Sequence, residues 1–228
     1  MAKVPVNKNT GAEVQAFLQR ARNVQRFSAG RARLVFAMDA TASRQPTWDL
    51  AMELQADMFR ASADVAPLAV QLAYYRGLGE LHLDPWQSDT TALAQRMSTV
   101  HCAAGRTQIA RLLRRALKQQ SDAQARALVF IGDAVEEPTP QLLDLAGKCR
   151  LQGLPLFLFQ EGDDAGTRNC FARMAQLSGG AAARFDHRSA RRLAELLGAV
   201  ARYAAGGRAA LENSADSGAR LLLDQLPH

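Results

Sequence analysis

Asp39, Thr41 and Ser43 stand at alternate positions where an apolar run, Leu34-Val-Phe-Ala-Met, gives way to a loop. Thr107 follows Gly105-Arg106, and Asp133 closes a second apolar run, Ala127-Leu-Val-Phe-Ile-Gly132. Two carboxylates and three hydroxyls form an all-oxygen donor set, which suits a hard cation such as Mg²⁺ that keeps some of its water. Two carboxylates roughly cancel a doubly charged ion and leave it able to accept one more carboxylate from outside. Alternate spacing lets residues 39, 41 and 43 point the same way if their loop stays extended. A plainer reading stays open at this point: Asp39 caps a helix and the hydroxyls satisfy loop backbone.

These residues need strands that end together. The run before Asp39 is rich in β-branched and aromatic side chains and reads as a strand over about 32 to 38, buried on both faces. A helix follows from about 47 to 62 with Leu50, Ala51, Leu54 and Met58 as its apolar stripe. Leu68 to Tyr75 and Leu78 to Asp84 are strands joined by a link so short that they must pair antiparallel. A short helix over about 88 to 97 precedes the loop that carries Thr107. Ile109, Leu112, Leu113, Ala116 and Leu117 then mark a helix with arginine on its other face. Beyond the strand ending at Asp133, Pro138 opens a helix to about Arg150. Leu154 to Phe159 is a strand, 167 to 177 a helix, 183 to 185 a short strand, and 189 to 204 a helix stopped at Gly206-Gly207. Strand and helix alternate. The fold class is α/β, a doubly wound Rossmann-like sheet of six strands, mostly parallel, with one antiparallel edge strand and helices on both faces. Ligands bind such sheets at the carboxyl ends of the strands, where the strand order reverses.

The chain has 228 residues, 48% of them hydrophobic, enough for a sizeable core. We divide it into a basic helical extension over residues 1–30, a main domain over 31–206 and a helical tail over 207–228. A capping box, Thr10-Gly-Ala-Glu13, opens a helix over about 11 to 22 in the extension. No window is apolar enough to span a membrane, and the first residues lack the apolar core of a secretory signal. Cys102, Cys149 and Cys170 are too widely spaced for a zinc site and odd in number, which fits inert thiols in a cytoplasmic protein. The net charge of +6 is carried by residues 1 to 33, with seven Lys and Arg against Glu13; the remainder balances at 21 against 21. The basic segment carries no nucleic-acid signature, and a solvated helix face accounts for it better than nucleic-acid binding does.

Asp39-Ala-Thr41-Ala-Ser43, then Gly105-Arg-Thr107, then Gly132-Asp133 resembles the metal-ion-dependent adhesion site (MIDAS) of von Willebrand factor A (VWA) domains. That site is built from Asp-x-Ser-x-Ser, a Thr on a second loop and an Asp on a third. Thr41 departs from the usual Ser but keeps the hydroxyl. The resemblance covers about residues 32 to 204. It implies a divalent cation, Mg²⁺ (or Mn²⁺ or Ca²⁺), on Asp39, Thr41, Ser43, Thr107 and Asp133, whose shell is completed by an Asp or Glu of a partner protein. It also implies a non-catalytic adaptor in a larger cytoplasmic assembly. Glu136 and Glu137 can be extra ligands, a carboxylate that occludes the site from within, or solvated residues in the first turn of the helix after Asp133, and the last is favoured. Arg44, Gln45, Trp48, Trp86 and Arg106 are candidates for a partner-binding rim, since Arg and Trp are enriched at binding hot spots; Trp48 equally fits a helix core position and Trp86 a loop anchor.

Two rivals remain at this stage. A haloacid-dehalogenase-like phosphatase also places an aspartate after its first strand, and Gly132-Asp133-Ala-Val-Glu-Glu137 loosely fits its Mg²⁺ motif. Against it, Thr41 stands where such enzymes carry their acid/base aspartate, and Lys118 lies deep in a helix. The other rival is a scaffold of the same fold that uses no metal.

Overall fold

A computed structural model describes residues 31–186 and 189–227. In chain order the elements are β1 Ala32–Asp39, a 3-10 turn Ala42–Arg44, α1 Gln45–Ser62, β2 Leu68–Arg76, β3 Glu80–Leu83, α2 Thr90–Ser98 and α3 Ile109–Ala123. There follow β4 Ala127–Gly132, α4 Thr139–Leu151, β5 Leu156–Glu161, α5 Ala165–Ser178, β6 Ala181–Phe185, α6 Ala190–Glu212 and α7 Ser217–Leu223. The helix read over residues 11 to 22 lies outside the described residues.

The six strands form one sheet in the order β3-β2-β1-β4-β5-β6. All neighbours run parallel except β2 and β3, which form the antiparallel edge pair. The expected architecture is thus observed. From β1 the chain goes outward to β2 and β3, then returns to build β4, β5 and β6 on the other side, so the order reverses between β1 and β4. In open α/β sheets such a reversal is where a ligand crevice forms.

Side-chain alternation along β1 builds the two halves of the core. Leu34, Phe36 and Met38 face Trp48, Met58, Leu93, Leu196 and Val200, in the layer made by α1, α2, α6 and α7. Val35 and Ala37 face Ile109, Leu113, Leu142 and Phe171, in the layer made by α3, α4 and α5. Asp39 has the parity of Val35 and Ala37. The last β1–β4 pair, Met38 with Ile131, sets Asp39 level with Gly132, one residue short of Asp133.

Two of the boundaries that differ from the sequence reading bear on the core and the site. The last long helix does not stop at Gly206-Gly207: Gly207 takes a left-handed φ of 69° and kinks it, and the helix continues to Glu212. Beyond the kink Leu211, Ala219, Leu222 and Leu226 join the same core as β1, so residues 207–227 complete the main domain. Apolar burial outweighs the two glycines' cost to the helix. β5 also reaches two residues past Phe159, to Gln160 and Glu161.

Candidate metal centre

Asp39 is 2% exposed. Its Oδ1 accepts the Thr41 backbone N–H at 2.7 Å, and its Oδ2 accepts the hydroxyl of Tyr75, its register partner on β2, at 3.2 Å. Among the described residues no cationic side chain pairs with it. Burial pushes the carboxyl above the ordinary aspartate value, and the nearby charge of Asp133 adds to that; the bonds from Thr41 and Tyr75 pull the other way. The Tyr75 phenol is driven well above its usual value by burial, then by the negative charges of Asp39, Glu137 and Asp133. The charges of three carboxylates are thus felt at one buried hydroxyl, and of the three Asp39 is the one bonded to it.

Gly132 is required by its neighbour Phe130: a Cβ there would collide with that ring at 2.8 Å, while lying at an ordinary 3.8 Å from the Asp39 Cβ. The loop bearing Thr107 is tied down on both sides. Gly105 packs so closely on the β2–β3 hairpin that an added Cβ would sit 2.1 Å from the Gly77 carbonyl oxygen, and the Arg106 N–H donates to that oxygen at 3.3 Å. On the other side Thr107 donates its backbone N–H to Glu136 (2.8 Å) and its hydroxyl to Glu137 (2.7 Å). Its hydroxyl oxygen accepts the Glu136 N–H at 3.2 Å, while Glu137 accepts the Ala110 N–H at 2.9 Å.

This corrects the reading of Glu136 and Glu137 as solvated first-turn residues. α4 starts only at Thr139, so both lie in the loop and satisfy free N–H groups at the start of α3. The rim divides too. Arg106 is exposed on the Thr107 loop, and Gln45 ties α1 to that loop by accepting the Cys102 N–H at 3.1 Å. Trp48 does not belong to the rim: it is 1% exposed, stacks edge-on with Tyr74 and donates its indole N–H to the Met97 carbonyl at 3.1 Å. Nor does Trp86, which sits under the Arg33 guanidinium near the start of β1, at the opposite end of the sheet. Alternation along α1 and the turn after β3 decide both positions, and residue type alone does not.

Arg44 lies deeper than a rim residue. Its guanidinium bridges Asp133, at 3.1 Å, and Glu161, with which Thr47 also bonds. The sequence reading stops β5 at Phe159 and so does not reach Glu161. The missed signal was the one that marked Asp39 and Asp133: an apolar run that ends in a carboxylate. Ser43 is exposed in the 3-10 turn, 3.5 Å from Arg44 Nε. Burial raises the Cys102 thiol to about 11, so it is protonated at neutral pH.

The donors suit a hard cation by chemistry: a buried carboxylate without a cationic partner, a second beside it, and hydroxyls from two loops. Among the described residues no group of three or more His, Cys, Asp or Glu is arranged to hold a metal. Asp39 and Thr41 are in contact and Asp133 is felt electrostatically at Asp39; Thr107 is held through Glu137, whose charge reaches Tyr75.

The fold and this crevice define a doubly wound α/β module with an oxygen-lined centre at its switch point. No protein-family model matches the chain, and no curated protein matches it. Solved structures do. The VWA domain of SpRpn10 superposes with a TM-score of 0.54 at 10% identity, covering 69% of this chain and 89% of that one. The vWF domain of the type V pili tip protein Mfa5 from Porphyromonas gingivalis gives 0.57 at 11%, covering 75% and 94%. An aerotolerance-related membrane protein from Bacteroides fragilis gives 0.53 at 16%, covering 71% and 96%. The fold of this chain is the VWA fold.

Proposed function

We propose that the chain is a non-catalytic, cation-dependent protein-binding module of the cytoplasm, acting as an adaptor in a larger assembly. Asp39, Thr41, Ser43, Thr107 and Asp133 hold a divalent cation, Mg²⁺ in the first instance, and an Asp or Glu of a partner protein completes the shell. The single observation that carries this reading is Asp39: a carboxylate is buried without a cationic side chain beside it, at the place where this sheet topology receives ligands. The bound ion would supply positive charge for the partner's carboxylate. The chain's own part is to orient Asp39 through Thr41 and Tyr75, and to fix the Thr107 loop between Gly77 and Glu137. No described helix is long and apolar enough to cross a membrane.

A second reading has its own observation. Arg44 already pairs with Asp133, and Glu137 already engages Thr107, which favours a scaffold that works without metal. Calorimetric titration with Mg²⁺ and Mn²⁺ separates the two. Saturable binding that is lost in both Asp39→Ala and Asp133→Ala supports the cation reading, whereas no heat at millimolar cation in folded protein supports the scaffold.

A further inference from the structure

The outer face of α3 carries the largest unneutralised charge among the described residues. Arg111, Arg114, Arg115 and Lys118 recur at three- and four-residue spacing and are all exposed, opposite the buried stripe of Ile109, Leu112, Leu113 and Ala116. Arg106 stands just before them, and no carboxylate occurs from residue 106 to 121. On other helices several surface bases have an acid one turn away: Arg60 with Asp57 on α1, Lys148 with Asp144 on α4, Arg191 with Glu195 and Arg208 with Glu212 on α6; of the four cations on α3 only Lys118 has one at that spacing in the sequence, Asp122. On α3, Arg111 meets only neutral acceptors, the Gly79 carbonyl at 2.5 Å and Gln108 at 2.9 Å. Arg114, Arg115 and Lys118 have no ion pair or hydrogen-bond partner among the described residues. The seven steps from Arg111 to Lys118 place these four cations along about 10 Å of helix, where like charges at this spacing repel.

We propose that this face is a docking strip for an acidic polypeptide segment of the partner, continuous with the cation centre at the start of α3. Thr107 lies two residues before the helix, so a segment whose carboxylate reached the centre would run its next acidic residues along Arg111, Arg114 and Lys118. This extension rests on the proposed function. Two features favour a polypeptide over a nucleic acid. Leu78, 85% exposed on the hairpin that Arg111 touches, offers an apolar contact beside the strip. In addition, no aromatic residue stands between positions 104 and 129 to stack a base. Concentrated positive charge of this kind speeds encounter with an acidic partner and makes it salt-dependent.

The test is fluorescence anisotropy with a labelled deca-glutamate peptide and the full chain, first in EDTA and then with MgCl₂. The strip is reversed by the pair Arg114→Glu and Arg115→Glu, with Arg168→Glu and Arg173→Glu on α5 as a control of equal charge change. Thermal melting verifies that each variant folds. In EDTA the strip variant is expected to weaken peptide binding at least tenfold and the control less than threefold. Equal weakening in both would reduce the effect to net charge and overturn the proposal. Absent binding by the native chain, or a preference for a 20-base-pair duplex over the peptide, would overturn it as well. MgCl₂ reports separately on the centre: tightening abolished by Asp133→Ala supports the cation reading, and a strip effect without any Mg²⁺ response leaves the strip standing while the cation reading falls.

Discussion

Replacing Trp48 separates core from rim. If Trp48 contacted a partner, Trp48→Ala would spare stability and abolish binding; its burial predicts the reverse. The ring is 1% exposed and packs on Tyr74 with centroids 5.5 Å apart. Truncating a large buried aromatic to alanine costs about 3–5 kcal/mol. For a domain of this size that lowers the melting temperature by roughly 6–20 °C. Trp48→Phe keeps most of the apolar contact but loses the indole bond to the Met97 carbonyl. That carbonyl also accepts the Val100 N–H at 3.1 Å, so it is not orphaned, and the expected cost is about 0.5–1.5 kcal/mol. The assay is thermal and urea unfolding followed by circular dichroism, with cation titration of the folded fraction. A Trp48→Ala protein that melts within 2 °C of the native chain, or that unfolds normally but has lost cation binding, would refute the packing argument.

Further outcomes follow from the same contacts. Because burial raises the Asp39 pKa, the folded state holds that proton more tightly than the unfolded chain, and this contribution to stability is lost as pH rises from the ordinary aspartate range through the folded value. Asp39→Asn should therefore match the native chain in acid and exceed it at neutral pH without cation; a less stable variant at pH 7 in EDTA refutes this. Saturating Mg²⁺ at a hundred times its dissociation constant should add about 2.7 kcal/mol to the native chain and nothing to Asp39→Asn, read as a melting shift. Arg44→Ala removes the guanidinium between Glu161 and Asp133 and should destabilise the metal-free protein by about 1.5–3 kcal/mol in urea unfolding; it should also tighten Mg²⁺ binding by calorimetry, since Asp133 loses its competing cation. Gly105→Ala cannot keep its seat on the Gly77 carbonyl and should cost about 1–3 kcal/mol in urea unfolding, with weaker cation binding as the Thr107 loop shifts.

The fold was legible because its signals are local and repeated. Buried strands show as apolar runs, and the two- or three-residue link between β2 and β3 allows only an antiparallel pair. Asp39 and Asp133 were legible for the same reason, as polar ends on apolar runs. What escaped depends on contacts far apart in sequence. Arg44 meets Glu161 across 117 residues, and Glu137 caps α3 from 27 residues downstream of Ala110. The sequence shows arginines and glutamates, and only three-dimensional proximity selects which of them pair. Trp48 and Trp86 share a residue type favoured at binding surfaces, yet one is sealed in the core and the other lies at the far end of the sheet. The kink at Gly207 escaped because a glycine pair normally ends a helix, and here the apolar residues beyond it reward continuation.

The double anchoring of α3 has a mechanical consequence. At one end its loop is clamped by Glu136 and Glu137. At the other, Gln120 bonds both the N–H and the carbonyl of Ala125, and Gln119 donates to the Gln71 side chain on β2. The fifteen-residue helix between them is a strut of about 22 Å. Gln71 lies on β2, one strand in from the sheet edge, so the helix ties the Thr107 loop to the body of the sheet.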